Sequence, residues 1–230
     1  MVKNLLAVAL CLWTANTFAQ LTETQGWIFL THKQQLTNKF DFLTDVQTRS
    51  SNKFTYLNTL LLRGAISYNL NKKNAIALGY AHKADWEQQL SAPTTRQSEN
   101  RIYEQYLYSF DIKRTEVSLR ARVEQRWVND KEVAFSQRAR AFISVQIPLT
   151  ADTAFTHGWY TGLQNELFLN IQHKASVNRH LFDQNRSFVS LGYRFSKKLD
   201  AEAGYMYWYQ QEMESAFRRN VIQLMITTSF

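Results

Sequence analysis

The 230-residue chain holds two prolines, seven glycines and a single cysteine, 14% of it is aromatic, and its formal net charge is +8. So little proline and glycine argues against disorder or a loop-rich scaffold, and one cysteine excludes an internal disulfide framework. The mean hydropathy is −0.39, and nothing beyond the amino-terminal segment has the run of about 20 apolar residues that a spanning helix needs.

Met1–Ala19 reads as a secretory signal. Lys3 precedes an apolar run from Leu5 to Trp13, and Thr17-Phe18-Ala19 ends the segment with small residues at both recognition positions. Cleavage is expected after Ala19, leaving 20–230 as one domain. Cys11 departs with the signal, and Leu10 before it does not suit a lipidation site. The mature chain then offers no thiolate for a metal or a disulfide. An exported, aromatic-rich chain without a spanning helix is either a soluble periplasmic β-protein or an outer-membrane barrel of a Gram-negative cell.

Alternation favours the barrel. Eleven alternating segments follow one another near 26–35, 40–49, 56–69, 74–87, 99–112, 115–128, 134–148, 159–172, 184–195, 199–211 and 218–230. In the sixth, Val117, Leu119, Ala121 and Val123 share one face, and Glu116, Ser118, Arg120, Arg122, Glu124 and Arg126 share the other. A strand half aliphatic and half charged over that length fits a lipid-facing exterior and a polar lumen. The fourth, seventh, ninth and tenth segments repeat the scheme, with Leu78, Ile143, Val189 and Tyr205 on their apolar faces. The last places Ile222, Leu224, Ile226, Thr228 and the terminal Phe230 together, and a terminal phenylalanine is what typically addresses a bacterial barrel to the assembly machinery. Short polar turns at Asn69–Asn74, Lys113–Thr115 and Ser196–Asp200 interleave with longer stretches at Gln88–Ser98, Asn129–Glu132, His173–Asp183 and Gln211–Phe217. The expected fold is an all-β, antiparallel, up-and-down transmembrane β-barrel with a charged polar lumen. Because bacterial single-chain barrels have an even number of strands, twelve are expected, with ten as the alternative and the irregularity assigned to the first hairpin.

Four stretches carry a resemblance: Glu99-Asn100-Arg101-Ile102-Tyr103-Glu104-Gln105, Arg120-Ala121-Arg122-Val123-Glu124-Gln125-Arg126-Trp127, Asn165-Glu166, and Asp183-Gln184-Asn185-Arg186 followed by Gly192-Tyr193. In this order the sequence resembles the outer-membrane family catalogued as domain of unknown function 2490, across most of the mature chain. The resemblance implies the barrel and no activity.

Phase places Glu99, Arg101, Arg120, Arg122, Glu124, Arg126, Arg138, Arg140, Glu166 and Arg186 in the lumen, with Tyr103, Gln105, Gln164, Arg194, Glu202 and Glu212. Arginines facing carboxylates on neighbouring strands form ion pairs and forked hydrogen bonds. Such a network can simply fill a narrow barrel, or it can form a basic constriction that passes or binds a small anionic solute. The competing class is an outer-membrane enzyme acting on lipid or peptide at the external rim. No catalytic set is evident, since His82 shares the outward face of Leu78 and Tyr80 while His157, His173 and His180 fall in turns or loops. His173, His180 and Asp183 lack ligand spacing, Asp85 and Glu87 near an outer rim beside Trp86 read equally as a working carboxylate pair or as loop solvation, and Glu99 and Glu104 point to opposite faces. No cofactor or metal is expected.

Without Lys3, 26 basic residues face 19 acidic ones. No nucleic-acid motif accompanies that excess, and Lys72, Lys73, Lys113, Arg114, Lys197 and Lys198 concentrate in the three short turns. On the periplasmic side they would meet anionic headgroups, so outer-membrane lipids and the assembly machinery are the expected partners, with no nucleic acid.

Overall fold

The computed structural model describes residues 22–88, 94–129 and 132–230; the signal expected at Met1–Ala19 lies outside them. Eleven strands run in chain order: β1 (Thr22–Gln35), β2 (Phe40–Ser50), β3 (Leu57–Asn69), β4 (Asn74–Glu87), β5 (Thr95–Ile112), β6 (Thr115–Asn129), β7 (Val133–Ala151), β8 (Gly158–Gln172), β9 (Phe182–Ser196), β10 (Leu199–Gln211) and β11 (Ala216–Ser229). They form one closed barrel in which each strand pairs with its sequence neighbours and β1 pairs with β11.

The strand number corrects the expectation of twelve or ten. The eleven segments visible in the sequence are the eleven strands, and no further strand is needed for closure. An odd number of alternating strands brings the first and last together running the same way. β1 and β11 accordingly pair in parallel from Thr22↔Arg218 to Lys33↔Ser229, while every other neighbouring pair is antiparallel. Phe230 fastens the end of this seam: its N–H donates to the Lys33 carbonyl at 2.9 Å and its own carbonyl accepts from Gln35 N–H at 2.6 Å.

Side chains obey the alternation. Inward positions are buried, among them Ala77, Ala81, Tyr103, Tyr160, Phe188 and Val221, while outward Leu78 is 59% exposed and Leu224 50% exposed. Glycine has a specific use on the inner face. Gly79 pairs with Tyr103 and Gly192 with Tyr160, and a Cβ at either glycine would run into the facing tyrosine ring. Absence of a side chain on one strand thus lets an aromatic ring lie across it.

The two ends of the barrel differ. At one, the β7–β8 turn tucks Phe155 beneath the wall, where it is buried, with the Arg194 guanidinium 3.9 Å from its ring centre. Asp152 fixes that turn, accepting from Thr156 Oγ1 and N–H at 2.6 Å and from His157 N–H at 2.8 Å. Those bonds, the Thr156 hydroxyl foremost, hold the Asp152 carboxyl below its ordinary pKa. The basic turns containing Lys72, Lys73, Lys113, Arg114, Lys197 and Lys198 lie at this same end. At the other end, the β2–β3 connection folds over β1, with Thr24 N–H donating to Asn52 Oδ1 and Gly26 N–H to Ser50 Oγ. The β1–β2 ladder stops at Trp27↔Arg49, so these side chains serve the backbone beyond it.

The charged lumen as candidate functional site

Strands β5 to β8 form a wall of arginines bound by carboxylates. Arg101 grips Glu99 with two bonds of 2.8 Å, and Arg126 Nε reaches the same carboxylate at 2.5 Å. A second cluster runs across four strands. Arg120 donates to Glu166 at 2.7 Å, and Arg140 bridges Glu166 (2.9 and 2.6 Å) to Glu124 (2.5 Å). Arg138 holds Glu124 at 3.0 and 2.7 Å and Asp183 at 2.7 Å. Register explains the assembly: Glu124 lies opposite Arg138 and Arg122 opposite Arg140, so charge alternating along β6 meets arginines on β7. Glu124 is 1% exposed, and such a carboxylate is tolerable only because several guanidiniums converge on it.

The residues named from phase thus divide into groups. Glu99, Arg101 and Arg126 form one cluster; Arg120, Glu124, Arg138, Arg140 and Glu166 form another. Arg122 stands at the edge of the second, 3.6 Å from Glu124, with its fork on the Gln105 carboxamide at 3.0 and 2.6 Å and its guanidinium 4.1 Å from the Tyr103 ring centre. Arg186 joins neither cluster; Gln184 accepts both of its side-chain bonds.

Some lumen residues escape a reading by phase. Asp183 falls at a register shift opposite Phe168 and Leu169; as the extra residue of a bulge it turns inward, although strict alternation ends the strand at Gln184. Arg63 and Asp45 pair at 2.6 Å between β3 and β2, and Arg49 enters from β2. The alternation Asp45, Gln47, Arg49 against Val46 and Thr48 was the signal for that strand. Asp85 of β4 lines the mouth of the barrel beside Glu87 and is bonded by Lys83 Nζ at 2.5 Å and by Thr59 Oγ1 at 2.7 Å.

The histidines do not gather. His82 faces Asn100 at 2.9 Å, His157 contacts Tyr193 OH at 2.9 Å, and His180 meets the Met213 carbonyl at 3.2 Å. Among the described residues no three potential metal ligands cluster. The buried pairing of Ser190 Oγ with Glu202 at 2.7 Å is completed by Tyr160 OH at 2.9 Å and Gln146 at 3.2 Å, with no ring nitrogen joining it.

Between these walls lies a cavity of about 400 Å³, lined by nine arginine or lysine side chains and five carboxylates. The excess is positive, so an anion entering the cavity is electrostatically favoured over a cation.

A family model described as a protein of unknown function (DUF2490) matches residues 24–218. The chain is also similar to an uncharacterized protein of Methylorubrum extorquens, 25% identical over 208 residues that cover 88% of this chain and 87% of the relative.

Proposed function

The chain belongs to the DUF2490 family of unknown function, and from its lumen we propose that it is an outer-membrane β-barrel whose cationic interior binds and passes small anionic solutes. The observation that carries the solute class is the lining itself: nine cations surround one cavity, and five lining carboxylates together with Glu124 and Asp85, which bind Arg138, Arg140 and Lys83, leave the excess positive. A lumen that only had to be filled would reach neutrality at lower cost. The membrane setting is supported by the outward row of aliphatic and aromatic side chains, Ile28, Leu78, Leu119, Val189 and Leu224 among them. It is supported too by strands of 11 to 19 residues, since a tilted crossing needs about 9–11. Closure leaves no unpaired edge, as a wall in hydrocarbon requires. The signal-like pattern of Met1–Ala19, a basic residue, an apolar run and small residues at the cleavage positions, supports export. The basic turns at one end suit the anionic headgroups of a periplasmic leaflet.

Fractionation and conductance test this reading together. The mature protein is expected in the outer-membrane fraction as a heat-modifiable band, and the purified barrel in planar bilayers should carry a small current whose reversal potential in a salt gradient shows preference for anions. Recovery from the soluble periplasm would end the membrane reading. A cation-preferring current would end the solute reading.

A further inference from the structure

The lumen arginines differ in what holds them. Those of β5 to β8 rest mainly on carboxylates. Arg49 and Arg186 each place Nε and Nη2 on the side-chain oxygen of the glutamine two residues earlier on the same strand. Gln47 accepts from Arg49 at 3.0 and 2.5 Å, and Gln184 from Arg186 at 3.2 and 3.0 Å. Residues two apart on a strand share a face, so Gln-x-Arg is a local device for orienting a guanidinium. A carboxylate in the glutamine's place would orient the guanidinium and also cancel its charge. The carboxamide orients it and leaves the charge intact.

The two guanidiniums converge. Arg49 lies 3.9 Å from the Trp27 ring centre, and Arg186 lies 5.2 Å from that ring and 4.5 Å from Trp208. The two indoles meet edge to face at 5.4 Å, and all four residues line the cavity. The cluster straddles the parallel seam, drawn from β2, β1, β10 and β9. Aromatic faces stabilise the cations without neutralising them. Two further features leave the group incomplete. Among the described residues both arginines bond through Nε and Nη2 and neither through Nη1, and the buried Trp208 Nε1–H has no acceptor. Donors and positive charge are concentrated there with no acceptor to match.

We propose that this cluster binds a small oxyanion of two negative charges, of phosphate or dicarboxylate type. The proposal rests on the anion reading above and gives it a place. The two guanidiniums supply charge for charge, their Nη1 groups and the Trp208 N–H supply donors, and the Gln47 and Gln184 carboxamides hold the geometry.

Equilibrium dialysis of the purified barrel in detergent, in mildly alkaline buffer, tests it with labelled inorganic phosphate and labelled succinate in parallel and chloride as competitor. Saturable binding of at least one dianion, resistant to equimolar chloride, is expected. Arg49→Gln and Arg186→Gln should each weaken it by about tenfold or more, as loss of a charge-assisted contact does. Both variants should keep the heat-modifiable shift, because each removes a charge with no carboxylate partner. Trp208→Phe keeps the ring and loses only the N–H, so it gives a second reading should an arginine variant fail to fold, and its affinity should fall as well. Binding by phosphate alone or by succinate alone supports the site and selects the chemistry. Undiminished binding in folded variants, or no saturable binding to the wild type, overturns the site. If anion preference in bilayers survives that outcome, the lumen reading stands without this site; if it is lost in the wild type, both fall.

Discussion

The wall of β5 to β8 and the wall across the seam use the same residue in opposite ways. In the first, Arg101, Arg120, Arg126, Arg138 and Arg140 meet Glu99, Glu124, Glu166 and Asp183, and Arg122 alone rests its fork on a carboxamide, that of Gln105, so the charge is largely cancelled and the side chains act as filling that locks neighbouring strands together. In the second, Arg49 and Arg186 meet carboxamides and indole faces, so the charge is kept. The difference shows that the acceptor, more than the arginine, decides whether a buried guanidinium serves packing or recognition.

The largest effect should come from removing the acceptor of the packed wall. Glu124→Ala strands Arg138 and Arg140 beside Arg122 with no shared carboxylate, and breaking a buried pair costs about 3–5 kcal/mol. Urea unfolding in detergent should show it as a lowered midpoint; an unchanged midpoint would mean that this wall is not held by its ion pairs. Next comes the premise that both walls have hydrocarbon behind them. Arginine at outward Leu224 should cost about 2–4 kcal/mol in vesicles, while arginine at inward Ser144 should cost far less. Equal costs would break the distinction between exterior and lumen. The smallest effect is expected on the seam wall, where Gln184→Ala removes two bonds to a guanidinium and should lower stability by about 1.5 kcal/mol. A loss as large as that of Glu124→Ala would make the two walls alike.

Much of this was legible in the sequence because a period of two is hard to counterfeit over eleven segments. Val117 to Trp127 alone separates exterior from lumen. Parity misled the strand number: evenness is a rule about families of barrels, and no residue in the alternation encodes how the first and last strands meet. Asp183 was hidden because a bulge breaks the period at the point where the reading depends on it, leaving that residue grouped with the loop histidines. Arg49 and Arg63 sit in strands whose apolar faces are diluted by Thr44, Thr48, Asn58 and Gly64, which weakens the contrast. The grouping of arginines by acceptor was not accessible from phase at all, since phase says which side chains share the interior and not which of them touch.

The parallel seam has a consequence for how such a chain reaches its place. Eleven passes mean that the start of β1 and the end of β11 open at opposite mouths, whereas an even meander returns to the side from which it set out. For a barrel set in a bilayer, the leading end of the polypeptide must be carried through to the far face before the last strand can lie alongside the first. Closure then joins two strands already pointing the same way. A peptide tag ahead of Thr22 and another beyond Phe230 would therefore be read by antibodies from opposite sides of one membrane.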